Sequence, residues 1–244
     1  MELKNNIILI TGGSSGIGLE LTKRLSETNV VIICGRTADK LEAAKKKFPK
    51  IETFQCDISI KSECERLVSW VNERHAKLNI LINNAAIAHV ANFKEDKNAV
   101  EKAAAEIQTN LMAPIILSKH CIPILERNKN PKIINITTGL VYAPRAIYPF
   151  YNATKAALHS FTQVLRLQLK SSAISIVEVM FPAVDTPWHS GNVPDIAITV
   201  ERAVAEMLAG LENEKYEIKV GKVKLLQRLS RIAPSFALRK INGL

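Results

Sequence analysis

The feature that most constrains the fold of this chain is a set of short apolar runs in which hydrophobic and polar residues do not alternate. Longer amphipathic segments separate these runs, which read NIILIT, NVVIICG, NILINN, PKIINIT and ISIVEVMF. Runs rich in Ile and Val indicate β-strands, and uniform hydrophobicity indicates strands that are covered on both faces. A regular succession of strand and helix predicts an α/β fold with a doubly wound parallel sheet of about seven strands and helices on both faces.

The domain organisation follows from length and composition. The 244 residues are 47% hydrophobic and contain no linker rich in Pro, Gly or Ser. We therefore expect a single domain over residues 1–221, followed by a basic, amphipathic C-terminal tail over residues 222–244. Such a tail can dock on its own domain or on a dimer partner, and this is the interpretation we favour; the alternative is contact with an anionic membrane surface.

The charge and the cysteines argue against several functional classes. The formal net charge is +10, but Lys and Arg are scattered with few aromatic residues between them, so we expect no nucleic-acid partner. Cys34, Cys56, Cys64 and Cys121 lack the spacing of metal ligands, and we expect buried, reduced thiols and no metal site.

The location of the protein is predicted from its apolar segments. No run of about 18 apolar residues is present to span a bilayer. The segment NNIILITGG is too short and wrongly flanked for a signal peptide. We therefore expect a cytoplasmic protein.

A glycine-rich turn follows the first predicted strand and precedes the helical pattern LELTKRLSE. Glycines allow a tight turn and a close approach of the backbone, so that a pyrophosphate can lie at the N-terminus of the helix. The position between a strand and a helix favours a dinucleotide site of the Rossmann type over a glycine turn with a purely conformational role. The candidate cofactor-binding residues of this turn are Gly12, Ser14, Ser15, Gly16, Ile17 and Gly18.

The end of the second strand predicts which dinucleotide is bound. A carboxylate is expected there when the ribose 2′-hydroxyl is recognised, but the chain has Arg36. Arg binds phosphate with two parallel hydrogen bonds, and Lys40 adds charge one turn into the next helix. We therefore expect NADP(H) to be preferred over NAD(H); the alternative is that Arg36 is a solvated loop residue.

Tyr151 and Lys155 carry the predicted chemistry. Pro149 marks the start of a helical segment, FYNATKAALHSFTQVLRLQL, so the two side chains lie one turn apart on one face. A neighbouring ammonium group stabilises a phenolate and lowers the pKa of a tyrosine. An isolated Tyr-x-x-x-Lys match is more often an aromatic ring packed on a lysine side chain, but a dinucleotide turn upstream favours the catalytic interpretation.

Taken in order, the motifs TGGSSGIG, NNAA, TNL, ITTG, YNATK and FPAVDT resemble those of the short-chain dehydrogenase/reductase family. The segments PAVDT and YEIKVGK also resemble the DltE-like oxidoreductases within it. The resemblance implies that Tyr151 is the general acid/base and that Lys155 holds the nicotinamide ribose. It places Thr138 where the family usually has the Ser that binds the substrate carbonyl.

Thr138 is therefore a departure from the family pattern that retains the hydroxyl group. It can still donate a hydrogen bond to a substrate oxygen, although its methyl group restricts χ1 and takes up space. Slower turnover or a smaller substrate would follow. For Thr137 we expect only the strand preference of a β-branched residue.

Asn110 is the fourth predicted catalytic residue. The resemblance assigns the matching Asn a main-chain role in holding a water that relays protons through the Lys to the Tyr. Pro114 has no N–H with which to bond the carbonyl four residues back, so a kink should leave the Asn110 carbonyl free. The alternative is a kink that only shapes packing.

Further cofactor and substrate residues are implied by the resemblance. Asp57 and Ile58 would lie beside the adenine, and Pro182, Val184 and Thr186 would contact the carboxamide side of the nicotinamide. Asn84 is a cofactor-binding candidate as part of the NNAA motif. Candidate residues of the substrate pocket, each after a strand end, are His89, Tyr142, Tyr148 and Trp188. The segment 188–198, the family's substrate lid, is short here, which predicts a small or partly open pocket.

The sequence thus predicts an NADP(H)-dependent oxidoreductase that reduces a small-molecule carbonyl compound or oxidises the alcohol, with Tyr151 as general acid/base. The alternative is a regulatory protein that binds NADP(H) without catalysis, which the replacement of Ser by Thr138 suggests. Because members of the family are commonly dimers or tetramers, we expect a homodimer or homotetramer.

Overall fold

The sheet has the expected parallel, doubly wound form. The computed structural model describes residues 3–189 and 193–243, and within them seven parallel strands form one sheet in the order β3-β2-β1-β4-β5-β6-β7. The strands are β1 (Ile7–Thr11), β2 (Val30–Gly35), β3 (Glu52–Gln55), β4 (Ile80–Asn83), β5 (Lys132–Thr138), β6 (Ser175–Phe181) and β7 (Glu217–Lys219). The predicted fold class is confirmed.

Helices cover both faces of the sheet. They are α1 (Gly16–Leu25), α2 (Ala38–Lys47), α3 (Lys61–Arg74), α4 (Ala99–Ile107), α5 (Ala113–Leu125), α6 (Pro149–Gln168), α7 (Val200–Glu212), α8 (Val223–Ile232) and α9 (Pro234–Asn242). Successive residues of β1 point to opposite faces, so Ile8 and Ile10 enter one hydrophobic core while Leu9 enters the other. Burial on both faces explains why the strands show no polar alternation.

The order of the strands places a crevice at the centre of the sheet. The chain runs outward from β1 through β2 to β3, then returns to place β4 on the other side of β1. The connections after β1 and β4 therefore leave in opposite directions. In open α/β sheets, ligands bind at the carboxyl ends of the strands beside such a reversal.

Strand β3 differs from the strands that the apolar runs indicate. It has the sequence ETFQ, it lies at the edge of the sheet, and only Phe54 within it is buried. An edge strand need not be apolar throughout, so hydrophobic patterning alone does not reveal it.

The predicted kink before Pro114 takes the form of a π-helical segment between α4 and α5, over Gln108–Met112. The N–H of Ala113 donates to the carbonyl of Gln108, five residues back. A π-turn lets the helix continue through a position that lacks an N–H donor, and such turns are frequent at functional sites.

The C-terminal helices contact the rest of the domain. Val223 on α8 and Ala237 on α9 are buried. Asn242 accepts a hydrogen bond from the main-chain N–H of Ala146 at 2.6 Å and donates one to the carbonyl of Pro144 at 3.1 Å. One face of the tail thus packs against the domain.

The four cysteines are all buried and free. No group of His, Cys, Asp and Glu side chains with the arrangement of a metal site occurs within residues 3–189 and 193–243. Among those same residues, no helix is long and apolar enough to cross a membrane.

Candidate active site

A cavity of about 760 Å³ lies at the carboxyl ends of the central strands. Residues that directly follow β1, β2, β4 and β6 line it, together with Thr138 at the end of β5. The cavity is also lined by every predicted cofactor-binding residue: Gly12, Ser14, Ser15, Gly16, Ile17, Gly18, Arg36, Asp57, Ile58, Asn84, Tyr151, Lys155, Pro182, Val184 and Thr186. Of the predicted catalytic residues, Thr138, Tyr151 and Lys155 line it and Asn110 does not.

The glycine-rich turn has a backbone that other residues would not adopt. Gly12 and Gly16 have φ angles of +66° and +50°, in the left-handed region that favours glycine. A Cβ on Gly18 would clash with the carbonyl oxygen of Gly12. Ser15, the N-cap residue of α1, makes no side-chain capping hydrogen bond, which leaves the first N–H groups of the helix for a ligand. These features fit the pyrophosphate of a dinucleotide.

Asn84 supports this turn by hydrogen bonds. Its side-chain amide donates to the carbonyl of Thr11 at 2.9 Å, and its main-chain N–H donates to the Thr11 hydroxyl at 3.0 Å. The same hydroxyl accepts from the N–H of Ala85, also at 3.0 Å. Asn84 thus lines the cavity and fixes the position of the glycine turn relative to β4.

The loop after β2 brings positive charge to the wall of the cavity. Arg36 and Lys40 are exposed and line it, and neither takes part in an ion pair within the described part of the chain. The carbonyl of Arg36 accepts a hydrogen bond from Gln55 at 3.0 Å, which holds the loop to β3. Asp57 accepts two hydrogen bonds from Ser59 and thereby shapes the next loop of the wall.

Tyr151, Lys155 and Thr138 come together at the centre of the cavity. The Lys155 Nζ lies 5.8 Å from the centroid of the Tyr151 ring and donates a 2.8 Å hydrogen bond to the carbonyl of Ile136. Thr138 forms a hydrogen bond with the Tyr151 hydroxyl and accepts one from the N–H of Leu140 at 3.3 Å. Helix α6 and strand β5 therefore place an acid/base group, a cation and a hydroxyl together.

Burial controls the protonation of this group. It raises the pKa of Tyr151, although the hydrogen bond with Thr138 acts in the opposite direction. The expectation that Lys155 gives Tyr151 a lowered pKa is therefore wrong, because desolvation of the phenolate by burial is the largest effect on it. Burial also lowers the pKa of Lys155 to about 8, while the negative charge of Glu178 acts to raise it.

A buried polar cluster behind Lys155 was missed by the sequence analysis. Glu178 on β6 is fully buried and accepts a 2.6 Å hydrogen bond from the hydroxyl of Thr137. His159 contacts both of its carboxylate oxygens at 2.9 Å. The hydrogen bond to Glu178 raises the pKa of His159. Thr137 thus binds Glu178 in addition to having the strand preference of a β-branched residue. The sequence signal for this cluster is a Glu within an otherwise apolar strand.

Asn110 is buried and positions the loop after β4. Its side-chain oxygen accepts from the N–H of Ile87 at 2.9 Å, and its amide donates to the carbonyl of Ile87 at 2.7 Å and to Thr154 at 3.2 Å. Thr109, the residue before it, lines the cavity instead. The main-chain relay role of Asn110 stays a prediction, whereas its side chain holds the loop after β4 by hydrogen bonds.

Two of the four candidate pocket residues line the cavity. Tyr148 and Trp188 do, with ring centroids 5.4 Å apart, and the Trp188 ring is 5.7 Å from that of Tyr151. His89 and Tyr142 do not line it. The Nδ1 atom of His89 lies 2.8 Å from the buried carboxylate of Glu106. The hydroxyl of Tyr142 donates a hydrogen bond to the sulfur of Met180.

The remaining wall of the cavity is mostly apolar. It includes Leu140 and Ile196, with Arg145 as a half-buried cation. The proposed lid, 188–198, is held at its C-terminal end, where Ile198 and Asp185 form a main-chain hydrogen bond of 2.9 Å. Within this lid, residues 190–192, including Gly191, lie outside the described residues.

The comparisons with known proteins identify the family of this chain. The sequence model described as short chain dehydrogenase matches residues 6–196. The oxidoreductase DltE of Bacillus subtilis strain 168 is 40% identical over 237 residues, which cover 95% of this chain and 94% of DltE. The predicted resemblance to the family and to its DltE-like members is confirmed.

Two solved structures show how widely the fold is shared. A short chain dehydrogenase from Burkholderia cenocepacia J2315, in complex with NADP, superposes with a TM-score of 0.87 at 23% identity, and the match covers 99% of each chain. A short chain dehydrogenase/reductase from Burkholderia phymatum, in complex with NAD, has a TM-score of 0.85 at 16% identity, covering 97% of this chain and 96% of that one. At these identities the likeness shows the fold alone.

Proposed function

This chain belongs to the short chain dehydrogenases, and we propose that it is an NADP(H)-dependent oxidoreductase that reduces a carbonyl compound or oxidises the corresponding alcohol. The observation that carries the proposal is the grouping of Tyr151, Lys155 and Thr138 in one cavity with the glycine-rich turn. When bound there, the nicotinamide supplies or accepts the hydride. The chain then has to bind and orient both ligands and to move one proton.

The proton step is assigned to Tyr151. Because burial raises its pKa, the phenol is protonated at neutral pH and suits proton donation to a carbonyl oxygen. Thr138 lies within hydrogen-bond distance of the phenol and has a hydroxyl that can polarise the same oxygen. Reduction is therefore the direction that the protonation state favours, and alcohol oxidation should accelerate as the pH rises toward the pKa of Tyr151.

Lys155 is assigned two tasks beside Tyr151. It is 2% exposed, and its ammonium group places positive charge 5.8 Å from the centre of the Tyr151 ring. It would also hold the nicotinamide ribose. With its pKa lowered to about 8, Lys155 is charged at neutral pH and loses that charge as the pH rises above 8.

The preference for NADP(H) is assigned to Arg36 and Lys40. Two cations without ion-pair partners in the described chain line the end of the cavity that follows β2. A 2′-phosphate would supply the missing negative charge, and the planar guanidinium group suits its oxygens. The Asp or Glu that would accept a hydrogen bond from a 2′-hydroxyl is replaced by Arg36.

A second candidate function is a regulator that binds NADP(H) without efficient chemistry. The observation that favours it is Thr138, whose methyl group and 6% exposure leave little room for adjustment beside the reacting atoms. The two candidates share the cofactor site and differ only in turnover.

The test is NADPH oxidation against a panel of aldehydes and ketones, beside direct titrations with NADPH and NADH on the same preparation. We expect turnover of apolar carbonyl compounds and tighter binding of NADPH than of NADH. Tight NADPH binding with no turnover over a broad panel would favour the regulator. Failure to bind either dinucleotide would refute both functions.

A further inference from the structure

The C-terminal helices expose an apolar surface on the side away from the domain. Leu225 and Ile232 on α8 are 61% and 84% exposed, and Phe236 on α9 is 50% exposed. Leu225 and Ile232 are two turns apart on one side of α8, and the buried Val223 lies on the other side. Clustered exposed apolar side chains mark an interaction surface more often than a scattered few do. We call this side of α8 and α9 the outer face.

The outer face is also strongly basic. Arg228 lies between Leu225 and Ile232 on the same side of α8, and the exposed side chains of Lys224, Arg239 and Lys240 add three further cations. Arg231 lies at the edge of this face nearer the domain, where its charge acts on Tyr142. The sequence from 218 to 244 contains no Asp or Glu. None of these cations belongs to an ion pair within the described residues.

We propose that the outer face docks on an anionic lipid surface. An amphipathic, basic helix lies in the interface plane with its apolar side chains at the boundary of headgroups and acyl chains and its cations on the phosphates. A second copy of this chain meeting the same face would bring the basic residues of both copies together without acidic partners. A nucleic acid would pair with the cations but leave Leu225, Ile232 and Phe236 exposed to water.

The opposite side of the same helices forms part of the active-site cavity. Lys222, Val223, Leu226 and Ile241 line it. Docking therefore places the lipid about one helix diameter, roughly 10 Å, from the cavity, which is a short path for an apolar carbonyl substrate. This consequence rests on the proposed function, but the docking itself does not.

Co-sedimentation of the full chain with vesicles tests the docking. The vesicles are phosphatidylcholine alone or phosphatidylcholine with about 30% phosphatidylglycerol, which provides the negative surface potential. We expect binding to the mixed vesicles only, with a loss of binding as the salt is raised from about 0.05 M to about 0.5 M. The double variant R228E/R231E and the variant I232S should each bind at least about tenfold more weakly.

Matched changes elsewhere on the surface serve as controls. The double variant K46E/K47E makes the same change in net charge on the exposed end of α2, and I60S removes an exposed apolar side chain at the N-terminal end of α3. Both should bind vesicles as the unchanged protein does. We expect R228E/R231E and I232S to keep the NADPH affinity and the melting temperature of the unchanged protein, which would show that these variants remain folded, and I232S makes no charge change.

Three results would overturn the proposal. The first is equal sedimentation with neutral and anionic vesicles, or with neither. The second is a change in oligomeric mass in I232S, which would assign the outer face to a second copy. The third is binding of a DNA duplex by the unchanged protein, with no binding to anionic vesicles, and loss of the DNA binding in R228E/R231E. Because vesicle binding is measured without turnover, none of these results depends on the proposed function.

Discussion

Lys155 is a buried cation whose charge depends on the groups around it. Burial lowers its pKa to about 8, and the negative charge of Glu178 opposes that effect. His159 and Thr137 hold the Glu178 carboxylate by hydrogen bonds of 2.9 and 2.6 Å. The cluster thus acts on Tyr151 only through Lys155, which makes Glu178 a positioning residue.

Glu178→Gln should move the alkaline limb of the reductase pH profile to lower pH. Removal of the negative charge lets burial lower the pKa of Lys155 further, so the ammonium is lost at a lower pH. At pH 8 the unchanged protein should retain about half of its pH 6.5 value of kcat/KM, because Lys155 is then about half deprotonated, whereas the variant should fall roughly fourfold or more. The measurement is kcat/KM from pH 6 to 10, and an unchanged alkaline limb with a uniformly lower rate would mean that Glu178 is only structural.

Thr138→Ser should preserve kcat or raise it by up to about threefold, because the hydroxyl remains while the methyl group that restricts χ1 is removed. Thr138→Val keeps the shape and removes the hydroxyl, and we expect it to lower kcat by about 100-fold. Steady-state kinetics of both variants check this pair. Equal activity of the Ser and Val variants would show that Thr138 does not touch the reacting oxygen.

At this scale the sequence predicts the identity of the reacting groups better than their surroundings. Tyr151, Lys155 and Thr138 are recognisable because one helix and one strand end carry them at fixed spacing. The Glu178 cluster joins residues of β5, α6 and β6 that are distant in sequence, and pairing across strands depends on a register that no local pattern specifies.

The turn between β1 and α1 is the element on which cofactor binding depends. Its glycines take positive φ angles at Gly12 and Gly16, and Gly18 packs against the backbone of Gly12. The free N–H groups at the start of α1 then face the cavity. Together these features make an anion site out of backbone alone.

Gly18→Ala should weaken NADPH binding by at least about tenfold, since the added methyl group displaces the Gly12 backbone from the anion site. Gly35→Ala adds a methyl group to the same cavity wall and is the steric comparison, because a Cβ there meets the Ser14 hydroxyl and Leu41 at 3.5 and 3.7 Å, which is ordinary contact. Titration of both variants with NADPH checks the prediction. Equal affinities would mean that the turn can move without loss of the site.

Arg36→Asp should reverse the cofactor preference. The change removes the partner of a 2′-phosphate and introduces an acceptor for a 2′-hydroxyl. We expect the ratio of NADPH to NADH affinity to fall by about 100-fold, which corresponds to about 2.7 kcal/mol. Lys170→Asp, at an exposed position that follows the C-terminal end of α6, controls for the change in net charge. An unaltered ratio would show that another residue recognises the phosphate.

Elements differ in how far a local pattern predicts them. The helix that starts at Pro149 extends as far as its periodicity indicates, to Gln168. By contrast, β3 is a short edge strand with polar residues, and the π-turn before Pro114 depends on how two helix segments adjust to one missing N–H. The sequence indicates that the helix is irregular before Pro114, but it does not indicate that the irregularity is a π-turn.

The whole molecule organises these elements around the reversal of strand order beside β1. Every cofactor residue predicted from motifs lies on one cavity, although the motifs span most of the chain. Parallel strands bring their carboxyl ends to one edge of the sheet, so residues at strand ends converge regardless of their separation in sequence. Motifs that are far apart in the sequence can therefore predict the residues of one site.

Other features at this scale remain predictions. Exposed apolar side chains on α4 and α6, among them Val100 and Leu167 at 73% and 70% exposure, fit the expected homodimer or homotetramer. The positive charge of the C-terminal helices fits a lipid surface instead. The two surfaces lie on different elements, so an oligomer and a membrane-docked form are compatible.

The most direct test of the account is the activity of Tyr151→Phe beside Tyr148→Phe. Both positions line the cavity as adjacent aromatic rings, 6.3 Å apart, but only Tyr151 is assigned the proton. We predict that Tyr151→Phe lowers kcat for NADPH-dependent carbonyl reduction by at least about 1,000-fold while the NADPH dissociation constant changes less than about threefold, and that Tyr148→Phe retains kcat. Substantial turnover by Tyr151→Phe would contradict the central claim.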